Sequence, residues 1–155
     1  MILAPIVLFT YKRLDTLKLT VEALKNNYLA AESDIYIYSD AAKGVADQEA
    51  IDDVRAYIKS IDGFRTITIY ESESNKGLAS SIIEGVSQVL QIHEAVIVLE
   101  DDLLTSANFL SYMNSALIAY NENQKVFSVS GYGLKVSLPK DYKYDVYFTP
   151  RGMSW

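Results

Sequence analysis

Three adjacent carboxylates, Glu100, Asp101 and Asp102, follow the apolar residues of the segment AVIVLEDD. Carboxylates at the end of a buried strand repel one another, and desolvation adds to the cost unless cations or hydrogen-bond donors surround them. Without His or Cys beside them, carboxylate oxygens favour Mg²⁺ or Mn²⁺, which bind through one or two carboxylates together with substrate phosphates. The triplet therefore predicts a metal-bridged nucleotide diphosphate. The alternative is that the acids only cap the following helix.

A second candidate site is the segment SNKGLASSIIEGV, in which Asn75, Lys76 and Gly77 precede a helix that starts with small residues. Small residues allow a ligand to approach the backbone N–H groups of a helix N-terminus, and Lys76 could face a phosphate. An ordinary helix start with a turn glycine gives the same pattern. The segment therefore needs support from other loops.

Two further polar residues follow the first and second predicted strands. The forked donors of Arg13 could hold a diphosphate, or Arg13 could pair with Asp15 in solvent. Asp40 could accept a hydrogen bond from a base N–H or a ribose hydroxyl, or it could form an Asx turn. His93 is read as an exposed residue with no functional role.

Composition limits the classes of function. A chain of 155 residues with 50% hydrophobic content suits one globular domain. A net charge of -6 argues against nucleic acids and anionic membranes as partners. The absence of cysteine excludes disulfides, thiolate metal sites and a cysteine nucleophile. No leader or membrane span is predicted, so a cytoplasmic protein is expected, with association to the inner membrane face through partners as an open alternative.

Strand and helix patterns alternate along the chain. Helical periodicity covers residues 14–28, 51–61 and 78–89, and a fourth helix is predicted within residues 106–123. Asp15 and Ser74 are predicted as N-caps, and Gly63 is predicted to stop the second helix. Apolar runs predict six strands, at residues 4–10, 34–39, 66–71, 95–100, 126–130 and 144–149.

This alternation predicts an α/β fold with a mostly parallel sheet between two helical layers, a three-layer α/β/α arrangement. Ligands of such sheets bind beyond the carboxyl ends of the strands. The segments TYKRLD, SDAAK, ESESNKG and EDD follow the first four strands. We therefore expect four polar loops to converge on one crevice.

The segments IVLFTYKR, YIYSDAA, SNKGLASSIIEGV and VIVLEDDL together resemble the nucleotide-sugar-binding half of GT-A glycosyltransferases, over nearly the whole chain. NKGLASS is similar to the Asn-x-Gly-Leu-Ala pattern of the family-two inverting enzymes. VLEDDL followed by NFL is similar to the Glu-Asp-Asp segment of the N-acetylglucosaminyltransferase that initiates complex N-glycans, and RGMSW to its Gly-x-x-Trp region. The resemblance implies the Rossmann-like GT-A fold.

The resemblance also implies roles for the acidic triplet. Asp102 becomes the ligand of Mn²⁺ or Mg²⁺, Asp101 a contact to ribose or phosphate, and Glu100 a contact to the donor sugar. The close spacing departs from a literal Asp-x-Asp motif, so the division of roles within the triplet stays open.

Five other residues are assigned to the donor by the same resemblance. Thr10 and Asp40 would surround uracil, and Arg13 would lie near the base or the diphosphate. Lys76 and Gly77 would line the nucleotide pocket.

The implied function is transfer of a sugar from a nucleotide-diphosphate donor, a UDP-sugar, to the hydroxyl of a saccharide acceptor, with inversion, as in polysaccharide biosynthesis. In the enzymes that the chain resembles, the catalytic base follows the Gly-x-x-Trp region. Residues 1–155 are therefore expected to be the nucleotide-sugar-binding part of a C-terminally truncated domain, with the base beyond Trp155, low activity and a tendency to self-associate. A base within the chain would be Asp141, Asp145 or Glu71. The alternative is a noncatalytic nucleotide- or saccharide-binding module.

Overall fold

The computed structural model describes residues 3–132 and 139–143, and a sheet of four strands lies at its centre. The strands are β1 Ile6–Thr10, β2 Asp34–Ser39, β3 Thr66–Glu71 and β4 Ile97–Glu100. The helices are α1 Leu14–Lys25, α2 Val45–Ile58, α3 Leu78–Val89 and α4 Phe109–Tyr120, with a 3₁₀ turn at Ala30–Glu32. None of the helices within these described ranges is long and apolar enough to cross a bilayer.

All four strands run parallel, in the order β3-β2-β1-β4. Every residue of β1 is buried, because this strand pairs with β2 on one side and with β4 on the other. Ile6 lies opposite Ile35 of β2 and Ile97 of β4. The predicted α/β fold is confirmed.

Each face of the sheet is covered by helices. Successive side chains of a strand point to opposite faces, so Ile6 and Leu8 pack with α1, α2 and α4, whereas Val7 and Phe9 pack with α3. The sheet therefore lies between two helical layers, as the sequence predicts.

The helix starts differ from the predicted ones. The N-cap of α1 is Arg13, and Asp15 lies within the first turn, where a carboxylate still complements the helix dipole. The N-cap of α3 is Gly77 rather than Ser74. Its φ of 75° lies in the left-handed region, which glycine adopts without steric cost. Gly63 also has a positive φ of 87°, but it lies in the turn before β3, several residues after α2 ends.

The fifth predicted strand, at residues 126–130, is wrong. These residues form no strand and do not join the sheet; they follow a turn after α4 and run back along that helix. Val129 packs against the hydrophobic core to which α4 contributes, and the Tyr112 hydroxyl donates to the Ser130 carbonyl at 3.4 Å. Val129 thus contacts the helical layer instead of a strand, whereas Phe127 of the same segment is fully exposed. The sixth predicted strand, at residues 144–149, lies outside the described residues.

Candidate functional site

A cavity of about 380 Å³ lies at the carboxyl ends of β1, β2 and β4, beside the N-terminus of α3. This volume falls within the usual range of small-molecule pockets, about 300–1,000 Å³. The loops that follow β1, β2, β3 and β4 all contribute residues to its wall. The predicted convergence of four loops is therefore present.

Most of the predicted site residues reach this cavity. Lys76 and Asp102 are not among the residues that line it. The ammonium group of Lys76 pairs instead with Glu84 on α3. The predicted residues that line the cavity are Thr10, Arg13, Asp40, Gly77, Glu100 and Asp101.

Arg13 joins the two aspartates of the acidic triplet. Its Nη2 donates to Oδ1 of Asp101, and its Nη1 donates to Oδ2 of Asp102 at 2.8 Å. The two carboxylates differ in environment, since the side chain of Asp101 is only 4% exposed whereas that of Asp102 is 42% exposed. Oδ2 of Asp101 also accepts the backbone N–H of Tyr11 at 3.2 Å and lies 3.5 Å from the Thr10 hydroxyl. The repulsion between adjacent carboxylates is therefore offset by donors from the β1–α1 loop.

The charge state of Arg13 follows from this arrangement. Partial burial alone would lower the pKa of the guanidinium, but hydrogen bonds and charge from Asp101 and Asp102 raise that pKa above its ordinary value. The guanidinium is thus a permanent positive charge between the cavity and the exposed carboxylate of Asp102.

The donor set suits a hard cation that is shared with a ligand. Within residues 3–132 and 139–143, no group of three acidic, histidine or cysteine side chains is arranged to hold a metal ion. Mg²⁺ or Mn²⁺ bound to a diphosphate needs only one or two protein carboxylates, and water and phosphate supply the other ligands. Asp102 is exposed enough to provide one of them. The residues present therefore fit an ion that arrives with a diphosphate, rather than one held by the protein alone.

Asp40 connects two of the four loops. Its carboxylate, which is 8% exposed, accepts the N–H groups of Ala41, Lys76 and Gly77, each at 2.9 Å. The side-chain amide of Asn75 donates to Asp40 at 3.1 Å and to the Ala41 carbonyl at 2.8 Å. Asp40 thereby fixes the path of the β3–α3 loop across the end of β2.

Aromatic rings form one wall of the cavity. Phe9 and Tyr38 line it and stack on each other with 5.4 Å between ring centroids, and Tyr70 stacks on the far side of Tyr38 at 4.8 Å. Burial, together with the neighbouring tyrosines, raises the pKa of Tyr38 to about 12, so its hydroxyl is neutral at physiological pH. That hydroxyl donates to Gln88 of α3 at 3.1 Å. The wall is thus flat, apolar and uncharged.

Sequence reasoning missed a second group of polar and charged residues at the cavity. Tyr11, Lys12 and Lys43 line it, and Asp47 of α2 binds the side chains of Tyr11 and Lys12. Tyr11 donates to Asp47 at 2.8 Å and accepts the Lys43 N–H at 3.1 Å, while Lys12 pairs with Asp47 at 2.7 Å. Hydrogen bonds from Lys12 and Tyr11 lower the pKa of the Asp47 carboxyl. The available signal was the presence of lysines in two loops that follow adjacent strands.

The alternative base residues lie away from this cavity or outside the described residues. Glu71 pairs with Lys59 at 2.8 Å and Arg55 at 3.8 Å, and neither Glu71 nor Asp141 is among the lining residues. Asp145 lies outside the described residues.

Comparison with known proteins identifies the fold. No family model matches the sequence, and no curated protein matches it. Solved structures do match: TarS of S. aureus has a TM-score of 0.55 at 12% identity, over 77% of this chain and 20% of its own. The mannosyltransferase PcManGT from Pyrobaculum calidifontis, in complex with GDP-Man and Mn²⁺, has a TM-score of 0.52 at 13% identity, over 73% of this chain and 31% of its own. The chain has a GT-A-like glycosyltransferase fold.

This likeness concerns the fold. The chain spans between 20% and 31% of the length of these two structures, so each of them extends well beyond the matched part. A shorter form of TarS, residues 1–349, matches 76% of this chain over 33% of its own length, with a TM-score of 0.50 at 11% identity. The likeness therefore covers about three quarters of this chain and shows the fold alone.

Proposed function

We propose that residues 1–155 are the nucleotide-sugar-binding part of a glycosyltransferase that moves a sugar from a UDP-sugar to a hydroxyl of a saccharide acceptor. One observation carries this proposal: the Glu-Asp-Asp triplet, with Arg13 across its two aspartates, lies beside the cavity at the carboxyl edge of a GT-A-like sheet. That edge is where open α/β sheets bind nucleotides. The mannosyltransferase with this fold was solved with a nucleotide-sugar and Mn²⁺, which supports the same class of ligand here.

The cavity wall divides into an apolar part and a charged part. The partly exposed ring of Tyr38 offers a flat surface against which a nucleobase could pack, and the buried ring of Phe9 stacks against it. Lys12, Arg13 and Lys43 carry cationic groups that can face a diphosphate once Lys12 and Arg13 turn from their carboxylate partners. We assign the base to the aromatic part, the diphosphate to the charged part, and the donor sugar to the side of Glu100.

Asp102 is the residue we assign to Mn²⁺ or Mg²⁺. The bound ion would supply positive charge to the departing nucleoside diphosphate. Asp101 acts through Arg13, because its buried carboxylate orients the guanidinium toward the cavity. Gly77, which has no side chain, leaves open space for the donor beside the start of α3.

An inverting transfer needs a carboxylate base that deprotonates the acceptor hydroxyl. We place this base outside residues 1–155, as the resemblance implies. The alternative, a module that binds without transferring sugar, gains no specific support from the site.

Calorimetry of UDP binding tests the proposal. We expect UDP to bind in the presence of Mn²⁺ and to bind much more weakly with EDTA, because the diphosphate charge then lacks its cation. Equal affinity under both conditions would remove the metal from the proposal. If UDP, GDP and CDP all fail to bind, the assignment of a nucleotide to this cavity is wrong.

A further inference from the structure

The carboxylate of Asp40 is fully used by hydrogen bonds within the chain. Oδ1 accepts the N–H groups of Ala41 and Lys76, both at 2.9 Å. Oδ2 accepts the Gly77 N–H at 2.9 Å and the Asn75 amide at 3.1 Å, and the Lys76 N–H also lies 3.2 Å from it. An ionised carboxylate offers about four lone-pair sites, so these donors occupy all of them.

These hydrogen bonds act at the start of α3. The first N–H groups of a helix lack partners within the helix, and a side chain at the N-cap usually accepts one of them. The N-cap of α3 is Gly77, which has no side chain, and no side-chain cap bond is formed there. Asp40 instead binds the N–H groups of Lys76 and Gly77 from the end of β2, and places a negative charge near the positive end of the helix dipole.

The position of α3 in turn sets the shape of the cavity. Leu78 and Ser81, in the first turn of α3, line the cavity, and so does Gly77. A change in the Asn75–Gly77 path would therefore move one wall of the cavity relative to the end of β2.

We propose that Asp40 is a positioning residue: it fixes the β3–α3 loop and the start of α3, and thereby the shape of the nucleotide cavity, instead of reading the base. Its effect on nucleotide binding rests on the proposed function, whereas its effect on the loop does not. The contact between Asp40 and uracil that the resemblance implies is the competing prediction, and it would need a lone pair that a loop donor now occupies.

The test is Asp40→Asn, which keeps the size of the side chain but replaces one acceptor oxygen with an NH₂ group that faces other donors. Without any nucleotide, we expect amide hydrogen exchange at Lys76 and Gly77 to accelerate by at least about tenfold, while exchange in β1 is unchanged. With Mn²⁺ present, the affinities for UDP and GDP should fall by the same factor, because a displaced wall affects both nucleotides. Asp53→Asn on the exposed side of α2 is the matched control and should change neither measurement.

Two results would overturn the proposal. One is unchanged exchange at Lys76 and Gly77 in Asp40→Asn. The other is an altered ratio of UDP to GDP affinity without a change in exchange, which would assign Asp40 to the base. If wild-type protein binds neither nucleotide, the proposed function fails, but the exchange measurement still decides the role of Asp40 in the loop.

A second variant covers the case in which Asp40→Asn does not fold. Asn75→Ala removes one donor to Asp40 and the bond to the Ala41 carbonyl, but it leaves the carboxylate in place. We expect faster exchange at Lys76 and Gly77, by a smaller factor than in Asp40→Asn, with the affinity ratio of UDP to GDP preserved. Unchanged exchange in this variant would contradict the proposal equally.

Discussion

Nη1 of Arg13 donates a hydrogen bond to Oδ2 of Asp102 across 2.8 Å, so the carboxylate proposed for the metal is already paired with a cation of the chain itself. A divalent ion that takes Asp102 as a ligand must displace this guanidinium or share the carboxylate with it. A displaced guanidinium would remain at the cavity, where it can face a diphosphate. We therefore expect a substitution of Arg13 to change the affinity for the metal and the affinity for the nucleotide in different ways.

We predict opposite effects of Arg13→Gln on the two ligands. Mn²⁺ binding without nucleotide, which is expected to be weak, should tighten by about two- to fivefold, because a partly exposed competing cation is removed. UDP binding with Mn²⁺ should weaken, because a diphosphate donor is lost. Electron paramagnetic resonance measures free Mn²⁺, and calorimetry measures UDP. Arg65→Gln, which alters the pair with Asp34 at the other end of β2, is the control; a shift of both affinities in the same direction at Arg13 would contradict the prediction.

The neighbouring aspartates should separate metal binding from stability. Asp102→Asn should abolish the increase in UDP affinity that Mn²⁺ gives, and it should leave the free energy of unfolding nearly unchanged because the side chain is 42% exposed. Asp101→Asn should lower that free energy by about 1–3 kcal/mol, since it disturbs buried hydrogen bonds to Arg13 and the Tyr11 N–H. Urea denaturation and calorimetry on both variants measure the two quantities. If Asp102→Asn lowers the free energy of unfolding and its UDP affinity still increases with Mn²⁺, the assignment of Asp102 to the metal is wrong.

Gly85 should not tolerate a methyl group. A Cβ at this position would lie 2.8 Å from Cε1 of Phe9 and 3.2 Å from Cδ1 of Tyr38. Alanine favours a helix interior by about 1 kcal/mol over glycine, but overpacking costs about 1–3 kcal/mol. We expect Gly85→Ala to lower the melting temperature and to weaken UDP binding, because both rings line the cavity. Gly44→Ala is the control, since a Cβ there meets no atom within 4 Å; an equally small effect of both substitutions would show that the rings move freely.

Asp34 should make stability depend on pH in the acid range. The hydrogen bond from Arg65 lowers the pKa of this carboxyl, against burial, which raises it, and Thr66 adds a second donor at 2.6 Å. Because the pKa is lower in the folded state, the stabilisation is present above the unfolded value of about 3.9 and is lost as pH falls through the folded value. The free energy of unfolding of Asp34→Asn should therefore lie about 1–2 kcal/mol below wild type at pH 7, and the difference should shrink toward pH 2.

The control for this prediction is Asp62→Asn. Asp62 pairs with Lys25, as Asp34 pairs with Arg65, but its side chain is 82% exposed. We expect no measurable change in the free energy of unfolding, because solvent screens the pair. Chemical denaturation at several pH values compares the two variants. A pH-independent difference for Asp34→Asn would show that its pairing with Arg65 does not stabilise the fold.

The first four strands are predictable because each is a short apolar run. The buried or amphipathic pattern of such a run depends only on the residues within and beside it. The segment at residues 126–130 has the same composition, yet it packs beside α4. An apolar run does not show whether its residues pair with a strand, pack on a helix as Val129 does, or stay exposed as Phe127 does. Helix starts were also misplaced, because the acceptor for the start of α3 comes from Asp40, 37 residues before Gly77.

The convergence of the loops was predictable, since the carboxyl ends of parallel strands meet at one edge. The pairing of individual side chains was not. The sequence offers nearby Asp15 as a partner for Arg13, but Arg13 binds Asp101 and Asp102, 88 and 89 residues away. The sequence places Lys76 at the pocket, whereas its ammonium group pairs with Glu84, 8 residues later on α3. Such choices depend on where the packed elements place each side chain.

The position of β1 between β2 and β4 determines which backbone groups stay unpaired while the chain is being synthesised. β1 and β2 are both synthesised before residue 40, but the other edge of β1 waits for Ile97 and the residues that follow it. Until then, a buried strand of the finished sheet has an open row of backbone donors and acceptors, which can pair with another chain. We expect nascent chains that stop before β4 to aggregate or to bind chaperones, and the Arg13 pair with Asp101 to form only in the last stage of folding.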